Sequence, residues 1–482
     1  MNSKELLLGF FSKNAPVLFF CLGIIFVLAI SFSTLTTKPR LWTDEAVSIE
    51  IARNFQTDGV LDIKTAPGIF SGFSERLQST GFPVTVPLSF FFKLFGYGLV
   101  QARVYMILWM LATLSLVFWL GGKWLGSLTG TGAFLLFITF ASFYGSGRTV
   151  VGEIPGFFFL LAGLYFLLSR RQFYWAGIFL GLAVVSKLSV FGLIVPALVV
   201  TYLFEWRSFL RTLVPVATGM IPAAVGWIFL NLSQPFLAST WANLLSFYQN
   251  PYSSSISENI FKNITDIPHS TTIIYFGILF LCIIAGRFLA DSSRKTLYNF
   301  VIVYAVFAFA YYLRSPGWLR YILIAELLIL FLLPHALSLL FGRFQGGLPQ
   351  VLHGKPVPAF LLTILVVIQC VQMFTVSELF YSEGAMRAAT SINENFPGKS
   401  VGVLNAVEVA LWLNTSERYL SMDLTGLPQI GQNPLLQKDL PEILVGYPSQ
   451  RFFLEEKEVV DSRYVIYGVA GGYTIYKLNI PI

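Results

Sequence analysis

The sequence predicts a polytopic α-helical membrane protein with a small α/β domain at its C-terminal end. Of the 482 residues, 55% are hydrophobic and only 12% are charged, whereas soluble domains carry about 25% charged residues. Apolar runs near the roughly 20 residues that a spanning helix needs recur through residues 1–377. In residues 378–482 the composition becomes polar and no such run remains. We therefore expect a transmembrane domain followed by a soluble one.

The apolar runs define about eleven candidate transmembrane helices. The first follows Lys4 and Lys13 and lacks a small-residue cleavage site, so it is predicted to be a retained helix rather than a signal peptide. The segments 127–143 and 173–186 are short for a span. The eleven segments are 15–35, 100–120, 127–143, 150–169, 173–186, 188–204, 212–231, 272–289, 296–312, 319–341 and 357–377.

The distribution of basic residues predicts the orientation. A net charge of +7 could indicate nucleic-acid binding in a soluble protein. In a membrane protein, Lys and Arg concentrate in cytoplasmic loops. With the N-terminus inside, those loops hold Lys123, Arg170, Arg171, Arg207, Arg211, Arg294, Lys295, Arg343 and Lys355. An odd number of spans then places the C-terminal domain on the extracytoplasmic side.

The segment 36–99 is predicted to be a long first external loop with juxtamembrane helices. Its apolar run 83–95 is too short to span comfortably and is expected to lie at the membrane surface or to re-enter it.

In the C-terminal domain, GAMRAATSINENF is predicted to form an amphipathic helix closed by Pro397. The runs SVGVLNA, RYLSMD, RYVIYGV and YTIYKLNI read as strands, with AGG marking a hairpin between the last two.

Two adjacent acids, Asp44 and Glu45, follow the first helix within LWTDEAVSIEIARNF. The structural interpretation is that Thr43 or Asp44 caps a surface helix, with Glu45 favouring its positive end. The functional interpretation is a carboxylate placed at the membrane exit for catalysis. The residues alone do not decide between the structural and the functional interpretation.

A further acid, Glu153, lies at or just inside the external end of an apolar helix. A carboxylate at membrane depth needs a polar partner or a function, and Arg148, five residues earlier, is a candidate partner. Lys187 lies at a tight break between two apolar segments and needs a partner or a cavity for the same reason.

Eight cations are predicted for the outer face, although Lys and Arg usually concentrate on the cytoplasmic side. Such cations near the bilayer boundary suit an anionic ligand, and Arg binds phosphate with a bidentate fork. Anchoring to lipid head groups is the alternative for each of them. The set comprises Arg40, Arg53, Lys64, Arg103, Arg148, Lys187, Arg314 and Arg320.

Four segments in this order resemble the GT-C superfamily of membrane glycosyltransferases. The most similar branch is the protein O-mannosyltransferase and aminoarabinose-transferase-like group, and the resemblance covers about 15–340. The C-terminal domain, including RYLSMDLTGL, also resembles extracytoplasmic domains of this group. The four segments are LWTDEAVSIEIARN, GFPVTVPLSFFFKLFGYGLVQARVY, GIFLGLAVVSKLSVFGLIVPAL and WLRYILIAELLILFLLP.

The resemblance implies an inverting transfer of a sugar from a polyprenyl-phosphate carrier to an acceptor hydroxyl on the non-cytoplasmic face. Asp44 would be the general base, because a hydroxyl is a poor nucleophile until a base takes its proton. Glu45 would orient Asp44 or help to bind a metal, and Glu153 would match a second acidic position of the family. Candidates for binding the carrier phosphate or the sugar are Arg53, Arg103, Arg148, Lys187, Arg320 and Tyr321.

The chain departs from the family pattern at GFPVTVP. Members often carry His, Glu or Lys before the first proline, whereas Pro83 here follows Gly81 and Phe82. No metal ligand is therefore assigned, and a divalent metal ion remains an open cofactor. The donor bond supplies the energy, in keeping with the absence of a P-loop or Rossmann motif from the sequence.

Other functions remain open at this point. A transporter or flippase for a lipid-linked or anionic substrate explains the helices and buried charges. It explains less well the acid pair, the long first external loop and the C-terminal domain. A surface-polysaccharide polymerase or ligase and a non-catalytic scaffold are the remaining alternatives. The expected partners are a polyprenyl-phosphate-linked sugar, membrane lipids and a protein, lipid or glycan acceptor. The expected location is a plasma (inner) membrane, with no nucleic-acid partner.

Overall fold

The structure is a computed structural model, and most of the residues that it describes are helical. Its membrane domain contains helices at all eleven predicted segments. The described residues are 3–72, 78–203, 206–232, 236–249, 255–343, 356–376, 383–421, 440–448 and 454–479. The helices of the membrane domain are Ser3–Ser33, Leu99–Leu125, Ser127–Thr139, Ala141–Arg148, Glu153–Tyr165, Phe173–Ser186, Leu188–Phe191, Ile194–Leu203, Trp206–Asn231, Thr271–Leu289, Ser292–Arg314, Leu323–Arg343 and Pro356–Val376.

Eight helices in the described ranges are long and apolar enough to cross a membrane, and nine if one bent pair counts as a single span. That pair, Ser127–Thr139 and Ala141–Arg148, is bent by 66°. The predicted spans 173–186 and 188–204 form shorter apolar helices. The eleven predicted segments are therefore helical, but not all of them have the length of a simple span. The protein is an integral, multi-pass membrane protein.

The helix Leu323–Arg343 lies at the centre of the bundle. Of its most apolar window, 83% is buried inside the protein, against 11% for the last span, Val357–Thr375. Small residues allow other helices to approach closely. A Cβ added at Gly177 would lie 2.1 Å from the carbonyl oxygen of Val216 on the helix packed against it. Burial therefore varies widely among the candidate spans of the described residues, and Leu323–Gly342 is the most buried of them.

The predicted first external loop contains two helices and a small hairpin. The helix Thr43–Asp58 is buried along most of its length, and the helix Phe82–Phe95 has only 14 residues. At about 1.5 Å per residue, the second helix is too short to cross a bilayer core of about 30 Å, as predicted. Two more helices, Ala238–Gln249 and Ile256–Asp266, lie in the segment 232–271, and residues 250–254 of that segment lie outside the described ranges.

A hairpin of β1 (Lys64–Ala66) and β2 (Ile69–Phe70) lies between the helices Thr43–Asp58 and Phe82–Phe95 in the chain, and Asp62 organises it. Its carboxylate accepts hydrogen bonds from the backbone N–H groups of Ile63 and Gly72, both at 2.8 Å, and from the Ser71 hydroxyl at 2.5 Å. Burial nevertheless raises the pKa of Asp62 above its ordinary value, against the effect of these hydrogen bonds.

The C-terminal part forms a five-stranded sheet with strand order β4-β3-β5-β7-β6. The strands β3, β4 and β5 are parallel, and β7 runs antiparallel to both β5 and β6. The predicted helix is confirmed as Gly384–Asn395, and two shorter helices accompany it, Val407–Ala410 and Leu454–Arg463. The strands are β3 Val401–Leu404, β4 Arg418–Ser421, β5 Ile443–Gly446, β6 Tyr464–Ala470 and β7 Tyr473–Leu478.

The four predicted strand runs and the hairpin are confirmed. Gly471 and Gly472 turn between β6 and β7 with positive φ angles of 58° and 86°, a conformation that glycine adopts at little cost. The strand β5 was not predicted, although it is buried between a parallel and an antiparallel neighbour. Two predictions lie on residues outside the described ranges: the domain boundary between 377 and 378, and the part of RYLSMDLTGL after Ser421.

Candidate active site

Asp44 and Arg320 form an accessible ion pair at the predicted outer end of the bundle. Arg320 Nη1 donates to Asp44 Oδ2 at 2.7 Å, and the two side chains are 20% and 29% exposed. The guanidinium lies over the rings of Trp42 and Trp318, with its central carbon 4.8 and 4.6 Å from their centroids, which is within cation–π range. The pair therefore offers a carboxylate and a cation to a ligand that arrives from outside.

The charge state of Arg320 follows from its neighbours. Burial acts to lower its pKa, but the negative charge of Asp44, and to a smaller extent that of Glu153, raises the pKa on balance. The guanidinium is thus held as a cation. Its Nε atom is buried and has no hydrogen-bond partner among the described residues, so a donor remains for a ligand.

Glu45 points away from Asp44 and binds Arg103. Successive residues of an α-helix diverge by about 100° because there are 3.6 residues per turn. The carboxylate of Glu45 accepts from Arg103 Nε at 2.9 Å and Nη2 at 2.8 Å, and both side chains are fully buried. Arg103 also donates to the carbonyl groups of Leu35 and Pro39 at 2.8 and 3.0 Å. The pair fastens the start of the external segment to the bundle.

The predicted cap at Thr43 or Asp44 is wrong, although both acids lie in the first turn of the helix. The helix begins at Thr43 with Trp42 in the N-cap position, and no side chain makes a capping hydrogen bond. The carboxylate of Asp44 bonds to Arg320 instead, while its carbonyl accepts from the Ser48 hydroxyl at 2.8 Å. The acid at this position has a tertiary partner rather than a local one.

Glu153 pairs with Lys187 and not with Arg148, so the predicted partner of Glu153 is wrong. Lys187 Nζ lies 3.2 Å from Glu153 Oε1, and both side chains are buried. Neither Lys187 Nζ nor Glu153 Oε2 has a well-aligned hydrogen bond in the described part of the chain. The pair therefore retains unused donor and acceptor capacity. Arg148 donates to the Thr34 hydroxyl at 2.6 Å, at the end of the first helix.

Two glycines hold the break at Lys187 in place. The Gly81 N–H donates to the carbonyl of Ser186 at 3.0 Å. A Cβ at Gly81 would lie 1.7 Å from the carbonyl oxygen of Val185, and one at Gly152 would lie 1.9 Å from that of Ser186. Only glycine fits at these approaches. A side chain at position 81 would therefore displace the break.

Arg53 belongs to a contact between the external helix and the C-terminal sheet. Arg53 Nη1 lies 3.3 Å from Glu50 Oε2, and Arg418 Nη2 lies 3.0 Å from Glu50 Oε1. The Tyr97 hydroxyl also donates to Glu50. Sequence reasoning missed Glu50, Tyr97 and Arg418. The i,i+3 spacing of Glu50 and Arg53 was a local signal, but nothing in the sequence marked Arg418 as their partner.

Tyr321 lies directly beside the accessible pair. It is buried, and the Arg320 guanidinium carbon lies 5.5 Å from the centroid of its ring. A further acid that sequence reasoning missed, Glu326, is buried in the first turn of the helix Leu323–Arg343, and its Oε1 has no hydrogen-bond partner among the described residues. The signal was available, since an acid inside an apolar helix is costly and rare.

The residues at Asp44 do not fit a metal ion. Both carboxylate oxygens of Glu45 are bonded to Arg103. In the part of the chain that the structure describes, no three His, Cys, Asp or Glu residues come together in a way that could hold a metal. Asp44 and Arg320 can instead act together on an anionic ligand.

Comparisons with known proteins agree with this architecture. Residues 84–230 match the family model of dolichyl-phosphate-mannose-protein mannosyltransferase. No curated protein sequence matches the chain significantly. Among solved structures, ArnT from Cupriavidus metallidurans bound to undecaprenyl phosphate superposes with a TM-score of 0.62 at 15% identity, over 95% of this chain and 97% of that one. The apo form of the same protein gives 0.61 at 14% identity, over 96% and 98%.

An archaeal enzyme shares the fold more distantly. The oligosaccharyltransferase of Archaeoglobus fulgidus, tethered to an acceptor peptide, gives a TM-score of 0.52 at 12% identity, over 86% of this chain and 64% of that one. The family match and these structures support a glycosyltransferase enzyme. They confirm the predicted resemblance: the chain has the fold of the GT-C superfamily of membrane glycosyltransferases.

Proposed function

We propose that this protein transfers a sugar from a polyprenyl-phosphate carrier to an acceptor hydroxyl, with inversion at the anomeric carbon and with Asp44 as general base. The observation that carries the proposal is the accessibility of the Asp44–Arg320 pair. The other predicted acids, Glu45 and Glu153, are fully engaged or buried. Asp44 is the one of the three that can meet an acceptor.

The reaction needs two things from the protein. A base removes the proton of the acceptor hydroxyl as its oxygen attacks the anomeric carbon. A cationic site stabilises the departing phosphate, which is already anionic and needs little proton transfer. Asp44 serves the first need. Arg320 and Lys187 serve the second, since Arg320 Nε and Lys187 Nζ have no hydrogen-bond partner among the described residues.

The remaining predicted residues take supporting roles in this proposal. Glu153 holds Lys187, and Glu45 and Arg103 position the helix that carries Asp44. Tyr321 orients the guanidinium of Arg320. The contacts of Arg148 with Thr34 and of Arg53 with Glu50 lie on other parts of the external layer. We therefore assign Arg148, Arg53 and Arg103 to positioning rather than to the carrier phosphate.

The proposed location is a plasma (inner) membrane, with the site and the C-terminal sheet on the extracytoplasmic side. The basic loops of the sequence support this orientation. The structure of ArnT bound to undecaprenyl phosphate supports a carrier of the same chemical class here. The acceptor is a protein, lipid or glycan that presents a hydroxyl near Asp44.

The test is sugar transfer by the purified, reconstituted protein supplied with a panel of labelled polyprenyl-phosphate sugars and candidate acceptors. Asp44→Asn keeps the shape of the side chain but cannot accept the proton, so transfer should fall by roughly 10²–10⁴-fold. Asp58→Asn is the matched control, because Asp58 lies at the other end of the same helix and pairs with Lys64.

The stereochemistry of the product, read by NMR, tests inversion. Equal transfer by Asp44→Asn and the wild type would remove Asp44 as the base while leaving the enzyme class in place. Binding of carrier without transfer of sugar to any acceptor, together with movement of the carrier between leaflets, would favour the flippase alternative.

A further inference from the structure

A cavity lies between the external segment and the C-terminal domain. Its volume is about 80 Å³, and its walls include Thr36, Arg40, Glu408, Trp412 and Tyr473. One ordered water needs roughly 10–15 Å³ of such volume, so the cavity can accept a small organic head group. Thr36 and Arg40 closely follow the first membrane helix, which places the cavity at the edge of the membrane domain.

Glu408 supplies an unmatched charge to this cavity. Its side chain is nearly fully buried, with 3% of the residue exposed. Oε1 accepts hydrogen bonds from the hydroxyls of Tyr473, at 2.9 Å, and Tyr447. Oε2 is buried and has no hydrogen-bond partner among the described residues. A buried carboxylate with an unused oxygen is costly unless a donor, and above all a cation, completes it.

The two tyrosines that donate to Glu408 both have a raised pKa. Burial, with the hydrogen bond to Glu408 as a further cause, raises the pKa of Tyr447 to about 12. Burial and the charge of Glu408 likewise raise the pKa of Tyr473 above its ordinary value. Both phenols therefore stay neutral hydrogen-bond donors to Glu408 and bring no positive charge to it.

The rest of the cavity has complementary chemistry. The rings of Trp412 and Tyr473 line it, and aromatic faces attract a cation. Arg40 lies exposed at the wall and makes no hydrogen bond or ion pair with any described residue. Arg forms bidentate hydrogen bonds with phosphate. The acid of the cavity, Glu408, is thus buried, whereas its cation, Arg40, is exposed.

We propose that this cavity binds a phosphoethanolamine-type head group, with the ammonium on Glu408 and the phosphate on Arg40. An ammonium carries three N–H donors and one positive charge, which is what Oε2 lacks. The proposal uses neither Asp44 nor Arg320 and stands apart from the proposed transfer reaction. A membrane phospholipid and a soluble or acceptor-borne phosphoethanolamine present the same chemistry.

The experiment titrates O-phosphoethanolamine and, separately, ethanolamine into the full-length protein in phosphatidylcholine nanodiscs, by calorimetry. Saturable binding of O-phosphoethanolamine is expected. Glu408→Gln should weaken both probes by about tenfold or more, since hydrogen bonds to charged groups are the strong ones. Arg40→Gln should weaken O-phosphoethanolamine and leave ethanolamine unchanged. O-phosphocholine, which has no N–H donor, should bind far more weakly.

The matched control is Glu394→Gln, which alters an exposed acid in the same domain and should bind like the wild type. Nanodiscs that contain phosphatidylethanolamine identify the source: competition with O-phosphoethanolamine indicates the membrane lipid, and its absence indicates a soluble or acceptor-borne group. Absence of saturable binding in the wild type would overturn the proposal. So would equal loss of both probes in Arg40→Gln, or unchanged binding in a folded Glu408→Gln protein.

Discussion

Glu45 and Arg103 meet in a fully buried ion pair with two hydrogen bonds, although 58 residues separate them in the chain. The remaining donors of Arg103 bind the carbonyl groups of Leu35 and Pro39. One guanidinium therefore joins three parts of the protein: the end of the first helix, the helix that carries Asp44 and the helix Leu99–Leu125. The position of Asp44 depends on this contact.

Breaking this pair should destabilise the protein more than removing both partners. Arg103→Met leaves the carboxylate of Glu45 buried and unpaired, at a cost of roughly 3–5 kcal/mol. The double variant with Glu45→Met should recover a large part of that loss, because apolar side chains of similar size often replace a buried pair at little cost. Thermal unfolding of the two single variants and the double variant measures the coupling. Additive losses would contradict the buried pair.

Arg320→Lys should weaken use of the sugar donor. The substitution keeps the charge but removes the planar fork and the Nε donor, which Lys cannot reproduce. We expect KM for the carrier-linked sugar to rise about tenfold or more, measured by initial rates over a range of donor concentrations. Arg387→Lys, on the exposed surface of the C-terminal domain, is the control. An unchanged KM would remove Arg320 from donor binding.

Gly81→Ala should disrupt the break that carries Lys187. The new Cβ would lie 1.7 Å from the backbone oxygen of Val185, so the backbone itself would have to move. We expect a lower unfolding temperature together with reduced sugar transfer. Gly277→Ala is the matched control, since no neighbouring atom lies within 4 Å of a Cβ at that helical position. Equal effects of the two substitutions would show that close packing at Gly81 is not the cause.

The stability of the external hairpin should depend on pH through Asp62. Because burial raises its folded-state pKa, the folded protein holds this proton more tightly than the unfolded chain. The stabilising contribution is therefore fully present below the ordinary value of 3.8, and it is lost as pH rises through the raised pKa.

Thermal unfolding of the wild type and Asp62→Asn between about pH 4 and 7 checks this sign. The wild type should gain stability relative to the variant as the pH falls, because the variant has no proton to bind at this site. Asp461→Asn, an exposed acid in the C-terminal domain, should show no such difference. If the wild type instead loses stability relative to Asp62→Asn as the pH falls, the raised pKa of Asp62 is contradicted.

The sequence by itself determined the features that depend on local pattern. Apolar runs gave the membrane helices, because the bilayer demands length and apolarity within one segment. The strands β3, β4, β6 and β7 and the glycine hairpin between the last two were predicted, because side-chain alternation and turn residues are local. The four segments that begin with LWTDEAVSIEIARN, taken in their order along the chain, were enough to indicate the GT-C fold. The short strand β5 was missed, because only its two neighbours in the sheet define it.

The tertiary structure decided which charges meet. Asp44 pairs with Arg320, which lies 276 positions away in the chain, and Glu50 pairs with Arg418, which lies 368 positions away. Glu153 selects Lys187 over the nearer Arg148. A single sequence does not encode these choices in any local pattern, because they arise when helices distant in the chain pack together. The physical reason is desolvation: a buried charge must be paired, and packing determines which partner is within reach.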